Sequence, residues 1–479
     1  MYKTNYRTRI LIITALVAGL AALTACGGGS GNRREGGAAA GDGEYRPAAF
    51  ASDDDFLDFL EQAHLNYMWE GAEPVSGLAP ERIHIDGVYP DDDADVITTG
   101  GSGFGIAGLL VGIDRGFIPR REGVERLHRI TAWLARADRF HGIWPHWLHG
   151  PTGRVKPFSP KDNGGDLVES AFLMQGLLCV REYFKDGDAD EQRLAAEVDT
   201  LWRGMEWSWH LNGEDVLYWH WSPEYGWEMN FPLQGYNECL ITYILAASSP
   251  THPIPASAYH NGWARGGEIC SEAVAYDLPL LLKHNGAEEY GGPLFWSHYS
   301  FIGLNPQGLK DRYADYRELN RNHTLIHHAY CTENPKGFAG YGDDCWGLTA
   351  SYSVNGYSAH MPVRNDLGVI TPTAALSAYP YTPALSMKAM KHFYFDLGDR
   401  LWGRYGFYDA FSQQDDWYPQ RYLAIDQLTV APMIENGRTA LLWRLFMNAP
   451  EIREGLKKLG FTREADAPAQ PQTLPQTQP

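Results

Sequence analysis

Residues 161–169 read Lys161-Asp162-Asn163-Gly164-Gly165-Asp166-Leu167-Val168-Glu169, and they lead into an apolar run that ends near Phe184. Across 166–184 the apolar residues recur with helical periodicity, so the segment reads as a helix. Carried back one turn, that helix sets Asp162, Asp166 and Glu169 at i, i+4 and i+7, stacking their carboxylates along one face. Like charges so placed repel, and a solvated or functional face tolerates them at least cost. Aromatic segments flank the stretch, His141-Gly-Ile-Trp-Pro-His-Trp147 before it and Tyr218-Trp-His-Trp-Ser-Pro223 after it. Acids ringed by Trp, Tyr and His point to carbohydrate chemistry. Aromatic faces pack on the C–H faces of sugars, and carboxyl groups supply the acid and base for glycosidic cleavage. A bland reading serves Asp162 equally well: Ser159 as N-cap, Pro160 at N1 and Asp162 at N3 form a near capping box. It does not cover Asp166 or Glu169. Gly164 and Gly165 early in a helix cost roughly 1–2 kcal/mol relative to Ala, so something must pass close to their backbone.

Outward from this stretch the pattern stays helical. Amphipathic or apolar helical periodicity appears over 56–69, 105–116, 121–136, 191–207, 239–247, 385–401 and 436–447. Asp53 to Asp55 would supply the N-cap and a negative first turn for the earliest of these. Strand signals are few and short, as at 215–219. Long aromatic loops cover 211–235, 298–315 and 333–364, longer than ordinary connectors, and such loops usually carry function. Many helices joined by long loops, with no internal linker, predict one large all-α domain, an α/α toroid around a central cavity. No fixed-period repeat is visible, which weighs against a solenoid.

Several motifs have bland readings that win. Gly103-Phe-Gly105-Ile-Ala-Gly108 matches a dinucleotide fingerprint, but an acidic run precedes it instead of a buried strand. Its glycines are better read as allowing close helix packing, or as exposing backbone to a sugar. Asp91, Asp92, Asp93 and Asp95 open like a calcium loop, but Val96 and Ser102 stand where Gly and Glu are required, so the run reads as a solvated acidic loop. His323, His327 and His328 lack a metal-ligand frame and read as hydrogen-bonded histidines, with His323 in reach of sugar hydroxyls. No metal and no cofactor is expected. Glu238 enters an apolar helix just after an aromatic loop. Such a carboxyl should hold its proton to higher pH, as a general acid requires, although a first-turn Glu also suits the helix dipole. Asp426, in Ala-Ile-Asp-Gln, is a comparable buried acid. Asp343, Asp344, Asp415 and Asp416 are loop acids with weaker claims.

The ends read differently. Lys3, Arg7 and Arg9, the apolar run 10–22 and Leu23-Thr24-Ala25-Cys26 match a lipoprotein export signal, with Cys26 as the lipidated residue. The expected layout is a signal peptide at 1–25, a flexible tether at 26–50, one domain at 51–462 and a disordered Pro/Gln-rich tail at 463–479. The result would be an exported bacterial lipoprotein on a membrane through Cys26, with a monomer as the default state. The formal charge of −19 argues against nucleic acid. Cys179 and Cys239 read as buried thiols. Cys331 and Cys345, flanking a Gly-rich loop, are the pair placed for a disulfide.

Together Thr98-Thr-Gly-Gly-Ser-Gly-Phe-Gly105, the 161–169 stretch, Tyr218-Trp-His-Trp-Ser-Pro223, Gly235-Tyr-Asn-Glu-Cys-Leu-Ile241 and Trp346-Gly-Leu-Thr-Ala-Ser-Tyr352 resemble the bacterial endo-β-1,2-glucanases, glycoside hydrolase family 144, often labelled glucoamylase-like. The resemblance runs from about Asp53 to Leu459. It implies an (α/α)6 barrel with an open cleft, hydrolysis of β-1,2-glucan or its oligosaccharides by inversion, and no cofactor. It also implies that Asp162, Asp166, Glu169 and Glu238 are needed for activity. Members follow Ile-Asp-Gln with Gly-Pro; this chain has Leu428-Thr429. On this reading Glu238 is the general acid, and Asp426, Asp166 or Glu169 activates water. Trp144, Trp147, Trp219, His220, Trp221, Trp227, Asn237 and His323 would contact sugar. The rival readings are an exo-acting, sophorose-releasing enzyme, another glucoamylase-like glucosidase, a non-catalytic glycan-binding lipoprotein, and a toroid lyase or glucosyltransferase. The matched acids weigh against a mere binder, and the lack of a basic cluster near the motifs weighs against a lyase.

Overall fold

The computed structural model describes residues 47–463. The expected signal peptide, Cys26, the tether up to residue 46 and the tail from residue 464 lie outside the described residues. No described helix is long and apolar enough to cross a membrane.

Two kinds of helix make up the body. One kind buries a single face and turns charge outward: α1 (Asp53–Trp69), α3 (Arg120–Leu134), α5 (Ala189–Arg203), α9 (Pro383–Lys391) and α13 (Pro450–Lys458). The other is buried nearly all round: α2 (Thr99–Asp114), α4 (Leu167–Phe184), α6 (Leu240–Ser248) and α8 (Pro372–Ser377). A helix apolar on every side has to be surrounded by protein, so the second set forms an inner layer and the first an outer one. α2 packs on α4 and α4 on α6. The 3₁₀ turns within 294–301 follow α6, and α11 (Val430–Arg438) packs on both α8 and α2 to close the circuit. This is the expected all-α toroid. The strands are two to four residues long and close no sheet.

The α2–α4 contact shows why the glycine pattern exists. A Cβ at Gly103 would lie 2.2 Å from the Phe172 carbonyl oxygen, and one at Gly176 would lie 2.1 Å from the Gly103 carbonyl oxygen. Neither helix could approach the other with a side chain there.

Short ribbons lead into the inner helices at one end of the ring. β2 (Val96–Thr98) runs directly into α2 and pairs with β3 (Trp147–His149), which pairs with β4 (Arg154–Lys156). β5 (Gly165–Asp166) runs into α4 and pairs with β6 (His220–Trp221). Hairpin β7 (Ala350–Ser353) and β8 (Gly356–Ala359) precedes α8. β9 (Arg421–Leu423) pairs with β1 (Arg82–His84) and runs into the one-turn α10 (Ala424–Gln427). The N-termini of α2, α4 and α10 therefore share one end of the molecule.

Several expectations fail for local reasons. The 162–166 part of the 161–169 stretch is not helical. Asp162 closes a tight turn, its N–H bonding the Ser159 carbonyl at 3.0 Å, and α4 starts only at Leu167 with Asp166 as N-cap. What passes close to Gly164 is β6: a Cβ there would lie 2.1 Å from the Trp221 carbonyl oxygen. The strand expected at 215–219 forms at His220–Trp221. Ser52, not the aspartates after it, caps α1. The 385–401 helix breaks at a π turn over His392–Asp396. The 436–447 helix is two helices, α11 and α12 (Leu441–Asn448), parted at left-handed Ala440. α7 (Tyr316–Glu333) and α13 were not expected at all. The acidic run 91–95 forms a 3₁₀ turn, and Asp93 is buried beside Arg82 and Lys156 at 3.6 and 3.4 Å, so it is not merely solvated. Cys179, Cys239, Cys270, Cys331 and Cys345 are all free thiols. The expected Cys331–Cys345 bond is absent, and both thiols are buried.

Candidate active site

The site is built where the inner helices begin. Asp166 is fully buried at the β5–α4 junction. Its Oδ1 accepts the N–H groups of Val168 and Glu169, at 3.0 and 2.9 Å, and the Trp219 indole N–H at 2.9 Å. Its Oδ2 lies 3.0 Å from His146 Nδ1 and 3.3 Å from His220 Nε2. Burial alone would raise this carboxyl, but the hydrogen bonds from His146 and His220 hold it well below the usual carboxylate range. Asp162, 3% exposed, comes from the preceding turn to within 3.1 Å of His220.

Burial would discharge both imidazoles, but the surrounding acids outweigh it. The Glu169 charge, then Asp166, holds His146 up to about 10. Asp162, then Asp166, holds His220 up to about 9. His146, Asp162 and Asp166 bring three metal-competent atoms within 4.8 Å of one another. The acids favour the protonated imidazoles, whose nitrogens then donate to carboxylates. The cluster is a self-neutralising ion network.

Glu169, in the first turn of α4, sends Oε2 to the Gly100 N–H at the start of α2, at 2.8 Å. Its proton affinity is raised by burial and by Asp166, against the pull of His146. Glu238 lies in the turn before α6, partly exposed beside Asn237, whose Oδ1 caps the Cys239 N–H at 3.0 Å. Ser300 Oγ fixes that turn by donating to the Glu238 carbonyl at 2.5 Å. Burial, with Asp166's charge adding to it, pushes the Glu238 carboxyl up to about 7. Asp426 on α10 is 2% exposed and accepts the Tyr299 hydroxyl at 3.0 Å. Its carboxyl is held well above the ordinary range by burial and by the neighbouring Asp409.

The structure thus gathers Asp162, Asp166, Glu169, Glu238 and Asp426 from three separate stretches of chain, with Trp219, His220 and Asn237 beside them. Of the other expected sugar contacts, Trp144, Trp147 and His323 are buried, and Trp221 and Trp227 are half-buried. Trp144 is fully buried, its indole N–H bonding the Leu134 carbonyl at 3.1 Å. Trp147 is buried against Phe158 and under Arg82. Trp221 sits one residue from His220 on β6, and successive strand side chains point to opposite faces. It accordingly packs behind the ribbon with His141 and Trp209, and Trp227 packs against Trp209 and His210. His323 is fully buried, bonded to Ser297 Oγ and the Gly292 carbonyl at 2.8 and 2.7 Å, and desolvation holds it down at about 4.

Three polar groups of the site went unnoticed in the sequence. His146 stood inside an aromatic motif read for its tryptophans. Glu81, beside Arg82 at 3.8 Å, couples electrostatically to Glu169, Asp409 and Asp426. Asp409 lies in Phe407-Tyr408-Asp409-Ala410, which carries no motif.

The glycoamylase family model, described as a glucoamylase, matches residues 230–450. A solved endo-β-1,2-glucanase from Chitinophaga pinensis, in complex with sophorotriose and glucose, is 61% identical. The match covers 86% of this chain and 99% of that one, with a TM-score of 0.85. The chain belongs to the β-1,2-glucanase family. Within it, an exo β-1,2-glucooligosaccharide sophorohydrolase from Parabacteroides distasonis is 45% identical over 426 residues, 85% of this chain. The chain spans only 58% of that relative's length. A Talaromyces funiculosus endo-β-1,2-glucanase bound to sophorose is 11% identical over 85% of this chain and 92% of that one, with a TM-score of 0.59, and shares the fold. Where the β-1,2-glucanase pattern has Gly-Pro, Leu428 here lies beside Gly105, and Thr429 Oγ1 caps the Asp426 carbonyl at 2.7 Å. The substituted pair thereby fixes α10 and Asp426 with it.

Proposed function

We propose that this member of the β-1,2-glucanase family hydrolyses β-1,2-glucan and its oligosaccharides, with Glu238 as general acid and Asp426 as the group that activates water. The observation that carries the reading is the partly exposed Glu238, its carboxyl pushed up to about 7 within the field of Asp166, whose own carboxyl is held well below the usual range. Glu238 keeps a proton to deliver to the departing glycosidic oxygen near neutral pH. Asp166 is bonded at both oxygens by backbone, indole and imidazole donors, so it has no lone pair for a proton from water. Its part is electrostatic: it fixes negative charge beside the cationic sugar of an oxocarbenium-like transition state. Asp426 retains an oxygen that no described donor reaches. Inversion requires that oxygen to hold a water on the sugar face opposite Glu238.

Incubating the purified protein with linear β-1,2-glucan, laminarin, cellulose and starch, and sizing the products, tests this. Cleavage of β-1,2-glucan alone is expected. A ladder of oligosaccharides marks internal cleavage, and disaccharide alone marks exo action. Starch cleavage without β-1,2-glucan cleavage would overturn the reading. Export and tethering through a lipidated Cys26 belong to the same proposal, and an intact mass of the mature chain that begins elsewhere than Cys26 would refute them.

A further inference from the structure

Asp409 follows the short strand over Gly406–Phe407 and meets Asp426 inside the protein. Asp409 Oδ2 accepts the backbone N–H of Tyr352 on β7 at 2.9 Å. Asp426 Oδ1 accepts the Tyr299 hydroxyl at 3.0 Å. The remaining oxygens, Asp409 Oδ1 and Asp426 Oδ2, are buried and reached by no described N–H or O–H donor. The two carboxyl groups lie within hydrogen-bonding reach of each other. Two carboxylates offer only acceptors, so a hydrogen bond between them needs a proton on one. The same proton satisfies both orphaned oxygens.

Among the described residues, no cation is among the leading influences on the pair. Glu81, just before β1, adds negative charge to both carboxyls. Tyr357 on β8 and Glu169 on α4 lie in the same field. The guanidiniums of Arg82 and Arg421 act on Tyr352. A dianionic pair so placed would have no counter-charge.

We propose that Asp409 and Asp426 hold one proton in common, and that Asp409 is the positioning residue that keeps Asp426 ready as the base. The inference rests on the role given to Asp426 above. With the proton on Asp409, Asp426 is a carboxylate with one hydrogen bond to each oxygen and, unlike the five-donor Asp166, a lone pair still free on each. Water then gives its proton to Asp426 while its oxygen bonds the anomeric carbon. The glycosidic C–O bond breaks, and the leaving oxygen takes the Glu238 proton. The pair passes from monoanion to neutral and releases one proton to solvent, and Glu238 takes one up. Burial and mutual repulsion raise both carboxyls, as a pair that titrates in two steps requires.

The test compares Asp409→Asn with Asp409→Ala. Asparagine keeps the acceptor for Tyr352 N–H and places an N–H donor where the proton lies. On β-1,2-glucan at neutral pH, Asp409→Asn should retain kcat/KM within about tenfold, and Asp409→Ala should lose about a hundredfold. Independently of activity, the wild-type midpoint should fall more steeply than that of Asp409→Asn as pH rises from 6 to 9. A carboxyl with a raised folded-state pKa stabilises below that pKa and loses the stabilisation as pH rises through it. If the midpoints run parallel with pH, the shared proton is refuted whatever the activity. If they diverge while Asp409→Asn is as inactive as Asp409→Ala, the positioning role is refuted. If they diverge while the wild type leaves the glucan uncut, the functional reading falls and the shared proton stands.

Discussion

Asp166 and Glu238 show how one cleft gives two acids opposite behaviour. Asp166 is surrounded by donors and stays ionised, whereas Glu238 has burial and a neighbouring negative charge and keeps its proton. The imidazolium pair makes the site's stability depend on alkaline pH. His146 and His220 have folded-state pKa values raised above 6.5, so their contribution is fully present below about 6.5 and is lost as pH rises through about 9 to 10. Thermal midpoints from pH 7 to 10.5 should fall in the wild type, and the fall should be smaller in His220→Gln, which has nothing to deprotonate. Equal slopes would mean the imidazoles are neutral in the folded protein. Much of this chemistry was visible beforehand in residue type alone: Asp162, Asp166, Glu169 and Glu238 stand in motifs whose composition announces acid–base work. Glu81 and Asp409 were invisible because a lone acid outside any motif gains meaning only from its neighbours in space. His323 and Trp144 misled for the converse reason, since polar or aromatic character fits a satisfied core position as well as a sugar contact.

Among the helices, those with one apolar face or none that is polar were readable from period and composition: α1 through α6 all appear close to where the pattern puts them. α7 was missed because its buried positions include Asn320, Asn322, His323 and His327, which count as polar in any pattern and are satisfied only by partners elsewhere. The 162–166 segment was misassigned because two glycines and a β-ribbon contact, both non-local in cause, overrode the helical spacing of the acids. Two predictions belong to the helix contacts. Gly176→Ala drives a methyl into the Gly103 carbonyl and should cost about 3 kcal/mol or more, or abolish folding, by chemical denaturation. At the α1–α11 contact, Arg438 and Arg115 face Asp58, Glu61 and Glu435, and burial pushes Glu61 up to about 8. An acid with a raised folded-state pKa loses stability as pH rises from about 4.5 through about 8. Glu61→Gln should therefore match the wild type in midpoint near pH 5 and exceed it at pH 8.5. A deficit that stays constant across that range would show Glu61 to be ionised and stabilising.

The ring as a whole sets the site because its inner helices begin at the same end. Residues far apart in sequence, from Glu81 to Asp426, meet there only once α11 closes the circuit onto α2 and α8. The all-α toroid could be read in advance; which ends converge could not, since chain direction in space follows from the short ribbons β2, β5 and β9. The formal charge of −19 should scarcely matter to catalysis if the substrate is a neutral glucan. Between 50 and 500 mM NaCl, kcat/KM should change by less than about twofold, whereas a charged substrate would show a steep dependence. The most direct measurement is kcat/KM on linear β-1,2-glucan against pH for the wild type and Glu238→Gln. The wild type should lose activity as pH rises through about 7, where Glu238 gives up its proton. Glu238→Gln, folded with a wild-type midpoint, should be slower by about 10²–10⁴-fold and lack that alkaline limb. A variant that turns over at the wild-type rate with the limb intact would contradict the assignment of Glu238 as the acid.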